Sequence, residues 1–210
     1  MNEEYNTKQH TAKERYEKLK EKREQYLDRA RECSELTIPA LIPEDGFSHT
    51  SDLYTPFQSV GARGVNNLAS KLLLLLLPPN SPFFRLSVSG KAKEQLGEQR
   101  ELQAEVEKSL QRIEKEVQNK IEQLALRVSA FEAIKHLIVG GNVLTYLPKD
   151  GYMKVFPLTQ YVCTRDSEGL LLEIVIKESI TPLSLDADVR EQVISDADYK
   201  EDEECELYTH

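Results

Sequence analysis

Apolar residues recur most regularly in the middle of the chain, between residues 93 and 128. They are spaced three or four positions apart, with Glu, Lys, Gln and Arg between them, and this heptad-like seam predicts a long amphipathic helix. The seam consists of Leu102, Val106, Leu110, Ile113, Val117, Ile121, Leu124 and Val128. The pattern allows two arrangements, one with the seam packed inside the subunit and one with it packed between two chains.

A second helix is predicted near the start of the chain, where Thr11 and Glu14 have the spacing of a capping box. Its apolar stripe is narrow and carries a charged residue, Arg23, at its centre. The other positions of the stripe are Tyr16, Leu19, Tyr26, Ala30 and Cys33. Because so narrow a stripe fills a core poorly, we expect this helix to lie on a surface or to bridge two subunits.

A third helix is predicted for residues 59–79, which read SVGARGVNNLASKLLLLLLPP. Its six consecutive leucines, 72–77, fall far short of the roughly 20 apolar residues that a membrane span needs. A helix end that is apolar all round is predicted to be buried on all sides. We expect Pro78 and Pro79 to stop this helix and its inner face to consist of Val65, Leu68, Leu72, Leu75 and Leu76.

Two shorter segments flank this helix. Residues 37–59 predict a long ordered loop with a turn at residues 44–46. Its apolar anchors are expected to be Ile38, Leu41, Ile42, Phe47, Leu53, Tyr54 and Phe57. Residues 82–89 alternate between apolar and polar side chains and predict a strand.

The second half of the chain changes to strand patterns. Ser129 and Glu132 repeat the capping-box spacing and predict a new helix after Arg127, which Gly140, Gly141 and Asn142 then end. The following segments, 143–147, 152–156, 161–165 and 170–177, predict an antiparallel β-meander with turns at residues 148–151 and 166–169. A short helix within residues 184–195 and the start of a final strand at residues 205–210 complete the pattern.

These elements predict an α+β fold in which long amphipathic helices precede a small antiparallel meander. We divide the chain into an N-terminal charged helix (1–35), a loop with a helical core (36–139), the meander (140–182) and an acidic helix or linker with the start of a truncated strand (183–210). The final strand has no partner after it, and this predicts a fragment.

Composition narrows the class of protein. The net charge is −9, and residues 183–210 hold ten acidic residues against two basic ones, whereas the first 35 residues hold nine of each. No basic tract of the kind that grips nucleic-acid phosphates occurs. The three cysteines are widely spaced and the start has no apolar signal segment, so a reducing, cytosolic place of synthesis is expected.

No motif in the sequence supports catalysis. Gly61, Gly64 and Lys71 superficially resemble a phosphate-binding loop, but Lys71 is followed by Leu72 and the spacing of the glycines is wrong. The histidines lie at no metal-ligand spacing from one another or from a cysteine, and His136 is interpreted as a packing residue. Neither a nucleophile with its base nor a calcium loop can be assigned.

Five blocks of the sequence do resemble a known family, and they occur in the family's order. They are TIPALIPEDG, YTPFQSVGARGVNNLASKLLLLLLPPNSPFFRL, RVSAFEAIKHLIVGGNVLTYLP, YVCTRDSEGLLLEIV and LYTH. From about Tyr16 to His210 the chain resembles the N-terminal part of portal proteins, the head-to-tail connectors of short-tailed phages of the autographivirus kind. Members of that family are roughly two and a half times as long as this chain, which agrees with a fragment of the portal wing.

The resemblance implies a structural subunit of a ring of about twelve copies at one capsid vertex of the virion. Such a ring nucleates head assembly with scaffolding and major capsid proteins, docks the terminase and the tail adaptor proteins, and passes double-stranded DNA without reading its sequence. It implies assembly in the bacterial host cytoplasm, no membrane, no cofactor and no catalytic residue. The candidate assembly and packing residues are Gly61, Arg63, Gly64, Asn66, Asn67, Leu72, Leu76, Val106, Ile113, Val117 and Ile121.

Two alternatives belong to other classes. One is a helical coiled-coil adaptor that dimerises through the seam from Leu102 to Val128. The other is a phosphate-binding enzyme built on the turn at Gly61 and Gly64, whose expected sign would be nucleotide turnover that depends on Lys71.

Overall fold

In the computed structural model, the described residues are 11–47, 52, 54–79, 81–90, 100–149, 151–185, 187, 189–191, 194 and 204–210. They form helices α1 (Ala12–Glu35), α2 (Val60–Leu76), α3 (Arg100–Gln123) and α4 (Leu126–Gly140), with short 3-10 turns at Pro39–Leu41 and Pro182–Ser184. The strands are β1 (Leu144–Tyr146), β2 (Lys154–Phe156), β3 (Tyr161–Arg165), β4 (Leu171–Ile180) and β5 (Cys205–Thr209). The α+β class is confirmed.

Helix α1 begins at the predicted capping box. The Glu14 amide donates to the Thr11 hydroxyl at 3.3 Å, and the Thr11 amide donates to the Glu14 carboxylate at 3.2 Å. Helix α1 lies on the surface with its polar face exposed. The expectation that it does not fill a core is wrong, because its stripe joins both apolar clusters of the described fold. Leu27 and Ala30 are buried in the larger cluster, and Tyr16 and Leu19 in the smaller one.

The charge at the centre of the stripe explains how this side of α1 can be buried. The Arg23 guanidinium donates to the carbonyl oxygens of Leu158 and Tyr161 and, at 3.4 Å, to that of Thr159. These carbonyl groups belong to the residues between β2 and the start of β3. Backbone carbonyl groups in the interior need a hydrogen-bond donor, and the charged side chain of Arg23 provides it. Arg23 therefore interrupts the apolar stripe without exposing it to solvent, because its charge is directed to the backbone of the subunit. Cys33, which the stripe also included, is exposed.

The larger cluster joins the helices to the first sheet. It combines Leu27 of α1, Val65 of α2 and Val139 of α4 with Phe156 of β2. Leu41 and Ile42 of the loop belong to it, and Ile38 packs against it, which confirms these three anchors. Tyr54 and Phe57 are exposed instead, so they do not anchor the loop within the subunit, and Leu53 lies outside the described residues. The turn at residues 44–46 is confirmed, with Gly46 at φ 83°.

The corner between α3 and α4 lies at Ala125, two residues before the predicted break. Ala125 has a left-handed φ of 47° and caps α4, which already begins at Leu126. The capping box predicted at Ser129 and Glu132 is therefore wrong, since both residues lie inside the helix. The predicted stop is confirmed: Gly141 has φ 70°, and a Cβ there would lie 2.7 Å from the Tyr26 hydroxyl.

The strands form two sheets rather than one meander. β1 pairs with β2, and a separate sheet has the order β3-β4-β5 with antiparallel neighbours. The final strand has a partner, because Cys205–Thr209 pair along their whole length with Ile180–Ile176 of β4. The strand predicted to start at residue 205 is thus confirmed, and its partner precedes it in the sequence. The four predicted strand segments are confirmed as β1 to β4. The division of the chain into the parts 1–35, 36–139, 140–182 and 183–210 remains a prediction.

Two further predictions have different outcomes. Residues 82–89 are described but form no strand, and the amide of Leu86 donates to the Glu114 carboxylate of α3 at 2.6 Å. The alternating pattern therefore reflects an extended segment lying along a helix. The helix predicted within residues 184–195 lies partly outside the described residues, and its described residues at 187, 189–191 and 194 are helical.

Candidate assembly surface

Helix α2 is fixed at its start by close backbone contact with α1. A Cβ on Gly61 would lie 2.2 Å from the carbonyl oxygen of Leu36, the C-terminal cap of α1. Any larger side chain would force the two helices apart. A close backbone approach thus occurs at Gly61, whereas an added Cβ on Gly64 would meet nothing within 4 Å in the described subunit.

The other end of α2 is held by an arginine from the α3–α4 corner. The Arg127 guanidinium donates to the carbonyl oxygens of Leu77 at 3.1 Å and of Pro78 at 3.0 Å. Its Nη2 also lies 2.6 Å from the Glu122 carboxylate. These donors satisfy carbonyl groups that a helix end otherwise leaves unpaired. Both ends of α2 are thus tied to the rest of the subunit.

The leucine run is not buried on all sides, contrary to the prediction. Leu74, Leu75 and Leu76 are 56%, 79% and 60% exposed, and Leu72 and Leu73 are half-buried. Only Val65 and Ala69 of α2 are fully buried, so Leu68, Leu75 and Leu76 are not part of the inner face. A helix that is apolar all round demands cover on every side, and the described subunit supplies it on one side alone.

The outer face of α2 combines apolar and basic side chains. A shallow groove there is lined by Val60, Arg63, Gly64, Asn67, Leu68 and Lys71. We call these six residues the α2 outer face. Their spacing of three or four residues places them on one side of the helix. Among the described residues, no carboxylate lies within ion-pair distance of Arg63 or Lys71, the two cations of this face.

The seam of α3 is open for much of its length. Ile113 and Val117 are 49% and 41% exposed, whereas Val106 and Ile121 are half-buried. Val106 lines a groove against the extended segment of residues 82–88. Between the two arrangements that the sequence allowed, the described subunit leaves the seam available for a second chain. Of the remaining candidate residues, Asn66 is exposed on α2.

A third exposed apolar site was not predicted from the sequence. The hairpin between β3 and β4 presents Leu170, Leu171 and Leu172, which are 62%, 47% and 66% exposed. The segment was interpreted only as a turn and a strand of the meander. The available signal was three consecutive leucines directly after a turn, a pattern that one buried sheet face cannot accommodate.

Within the described residues, no group of three His, Cys, Asp or Glu side chains is placed to hold a metal ion. His136 is 5% exposed, as its interpretation as a packing residue requires, and burial lowers its pKa. Burial raises the pKa of Tyr161 to about 12, which keeps its phenol protonated. Both groups serve packing in this fold.

The exposed leucines do not form a membrane segment. Among the helices of the described residues, none combines the length and the apolar character needed to cross a bilayer.

A subunit with a fixed core and several exposed apolar faces has the features of a protein that assembles with other chains. The chain belongs to the family described as bacteriophage head to tail connecting protein, whose pattern matches residues 9–210. The resemblance noted from the sequence is thereby confirmed.

Individual relatives agree with this family. The chain is 42% identical over 205 residues to the portal protein of Escherichia phage T7 and to that of Enterobacteria phage T3, in each case over 95% of this chain and 38% of the relative. It is 33% identical over 198 residues to the portal protein of Enterobacteria phage SP6, over 93% of this chain and 38% of the relative. The chain thus spans 38% of the length of these curated relatives.

Proposed function

We propose that the chain acts as part of a structural subunit in a phage portal, the ring at one capsid vertex through which the genome is packaged and ejected. The observation that carries the proposal is the family match across residues 9–210. The exposed apolar faces of α2 and α3 support it, because a ring subunit needs adhesive surfaces on more than one side. The coiled-coil adaptor and the phosphate-binding enzyme gain no such support.

The proposed subunit forms a ring of about twelve copies and is located in the virion, after assembly in the bacterial host cytoplasm. Its partners are the terminase, the scaffolding protein, the major capsid protein and the tail adaptor proteins. The chain itself supplies assembly surfaces and no catalytic group, and the terminase supplies the nucleotide turnover that drives packaging.

Double-stranded DNA passes through the proposed ring without sequence-specific binding. The charges on α1 fit this role, because Arg15, Lys20 and Arg31 are paired with carboxylates, at N–O distances of 2.6 Å, 3.0 Å and 2.6 Å. A cation that is already paired contributes less to holding a phosphate backbone. A conduit that bound phosphates tightly would resist the sliding of DNA.

The test is the size and shape of the product of the complete open reading frame. Negative-stain images should show closed rings of about a dozen subunits, and the same preparation should show no nucleotide turnover. Compact monomers or rod-shaped dimers would overturn the proposal. Turnover that disappears on Lys71→Ala would favour the phosphate-binding enzyme instead.

A further inference from the structure

The hairpin between β3 and β4 carries an exposed apolar tip with an acidic side chain beside it. Leu170, Leu171 and Leu172 are all substantially exposed, and Glu168 precedes them in the exposed turn. Alternation along a strand places Leu170 and Leu172 on the same face. Exposed apolar clusters of this kind mark interaction sites on soluble proteins.

This tip is held in one conformation by its own hydrogen bonds. The Asp166 carboxylate accepts from the amides of Glu168 at 3.0 Å and Leu170 at 2.7 Å. The Arg165 guanidinium donates to the Gly169 carbonyl at 3.0 Å, and Gly169 takes φ 87°. A surface that is ordered before binding loses less conformational entropy on binding. The tip is therefore ready to dock without folding.

The α2 outer face has the complementary chemistry. In a chain of net charge −9, residues 53–93 contain five basic residues and no acidic one. Two of these cations, Arg63 and Lys71, flank the exposed Leu68 on the α2 outer face. An apolar surface rimmed with positive charge fits an apolar tip that carries a negative charge.

Besides its positive charge, the α2 outer face has a helical glycine, Gly64, that no contact within the described subunit requires. Glycine in a helix interior costs about 1 kcal/mol relative to alanine. Gly61 has a reason within the subunit, the Leu36 carbonyl, whereas an added Cβ on Gly64 would meet nothing within 4 Å. A missing side chain on an exposed helix face allows a close approach from outside the subunit.

The two surfaces are anchored at opposite ends of α1. The hairpin is tied to the start of α1 through the ion pair of Glu173 with Arg15, and α2 begins against Leu36 at the end of α1. A helix separates these anchors by about 30 Å at 1.5 Å per residue. One subunit cannot bring its own tip onto its own α2 outer face, but two copies can be joined head to tail in this way.

We propose that the β3–β4 tip of one copy docks on the α2 outer face of the next copy. This inference rests on the proposed ring and names the contact that closes it. Glu168 of the tip pairs with Lys71 or Arg63, and Leu170 and Leu172 cover Leu68 beside the notch at Gly64. The contact is heterologous, so its repetition generates a ring when the rotation between neighbouring copies closes.

Cross-linking between two substituted chains tests the contact directly. The product of the complete open reading frame, with the exposed Cys33 changed to serine, receives either Asn67→Cys or Leu170→Cys. Mixing the two should give a disulfide-linked dimer under mild oxidation, because a disulfide needs Cβ atoms about 4 Å apart. Asn66→Cys is the matched control, since its side chain is also exposed but points about 100° away around the helix.

Charge exchange supplies the second readout. Lys71→Glu and Glu168→Lys should each raise the concentration needed for half-assembly about tenfold, and their combination should restore it. Equal cross-linking through positions 66 and 67, no cross-link at all, or rings indifferent to both charge changes would each overturn the contact. If the unaltered product forms no ring, the proposed function fails, and the mixed-chain cross-link still decides whether these two surfaces meet.

Discussion

The Arg15 guanidinium binds the Glu173 carboxylate with three hydrogen bonds, from Nε to the two oxygens at 2.7 Å and 2.9 Å and from Nη2 to Oε2 at 2.6 Å. The pair joins the first turns of α1 to β4, which lie 158 positions apart in the sequence. The side chains are 29% and 15% exposed. The hydrogen bond from Arg15 is the main cause that lowers the pKa of Glu173, and the nearby His210 acts in the same direction.

The stability of the subunit should therefore fall at acidic pH through Glu173. A carboxylate with a lowered pKa stabilises the fold above its ordinary pKa, and this contribution is lost as the pH falls through the lowered value. Glu173→Gln should remove this part of the pH dependence and cost about 1 kcal/mol near neutral pH. Urea unfolding from about pH 3 to pH 7 measures both effects. Glu21→Gln, on an exposed position of α1, is the control, and an unchanged profile in Glu173→Gln would contradict the assignment.

Arg23 should be more important for stability than any exposed arginine of α1. Its guanidinium serves the carbonyl oxygens of Leu158, Thr159 and Tyr161, which lose a charged donor in Arg23→Met. Hydrogen bonds that involve a charged group contribute about 1.5–3 kcal/mol, so a loss of that size is expected in chemical denaturation. Arg29→Met is the matched control, because among the described residues the Arg29 side chain donates to the Gln25 carbonyl of its own helix and to no other element. Equal losses in the two variants would refute the role of Arg23.

The two glycines of α2 should respond oppositely to alanine. Gly61→Ala places a Cβ 2.2 Å from a backbone oxygen and should destabilise the subunit by about 1–3 kcal/mol. Gly64→Ala meets nothing within 4 Å and should stabilise the isolated subunit by about 0.4–1 kcal/mol, because it restricts the unfolded chain. Thermal or urea unfolding under conditions that keep the protein monomeric decides the sign of each change. Two changes of the same sign would show that the start of α2 is packed differently.

Local signals in the sequence were sufficient for the elements whose cause is itself local. The capping box at Thr11 and Glu14, the stops at Gly141 and Pro78, and the seam of α3 all follow from neighbouring residues. The burial of α1 did not follow, because the partners of Arg23 lie about 135 positions further along the chain.

The sequence also did not predict which apolar surfaces are exposed on the subunit. The leucine run of α2 predicts burial, but a sequence does not say whether its own subunit or another one provides the cover. The strand pattern of residues 82–89 was misleading for a similar reason, since alternating side chains suit an extended segment beside α3 as well as a sheet. The three consecutive hairpin leucines are visible in the sequence, but their exposure depends on how β4 lies against α1.

His136 should make stability pH-dependent near its ordinary pKa of 6.5. It is buried, its Nδ1 has no hydrogen-bond partner among the described residues, and burial lowers its pKa. Glu132 opposes this shift and Lys135 adds to it. A base whose pKa is lower in the folded state makes its full contribution to stability at pH values above its pKa in the unfolded chain. The free energy of unfolding declines as the pH falls below that pKa. The free energy of unfolding should thus drop between about pH 7 and pH 5 in the unaltered chain and stay level in His136→Leu. The same slope in both proteins would assign the effect to other groups.

The seam of α3 provides a test of association that is separate from folding. Val117 is 41% exposed, so Val117→Asp should change the free energy of unfolding of a monomer by less than about 0.5 kcal/mol. Val139, at 8% exposure in the larger cluster, is the matched control, because Val139→Asp buries an unpaired charge and should unfold the subunit. If a second chain covers the seam, Val117→Asp shifts the sedimentation profile towards smaller species while the circular dichroism of the subunit stays unchanged. A Val117→Asp variant that unfolds like Val139→Asp would place the seam inside the subunit.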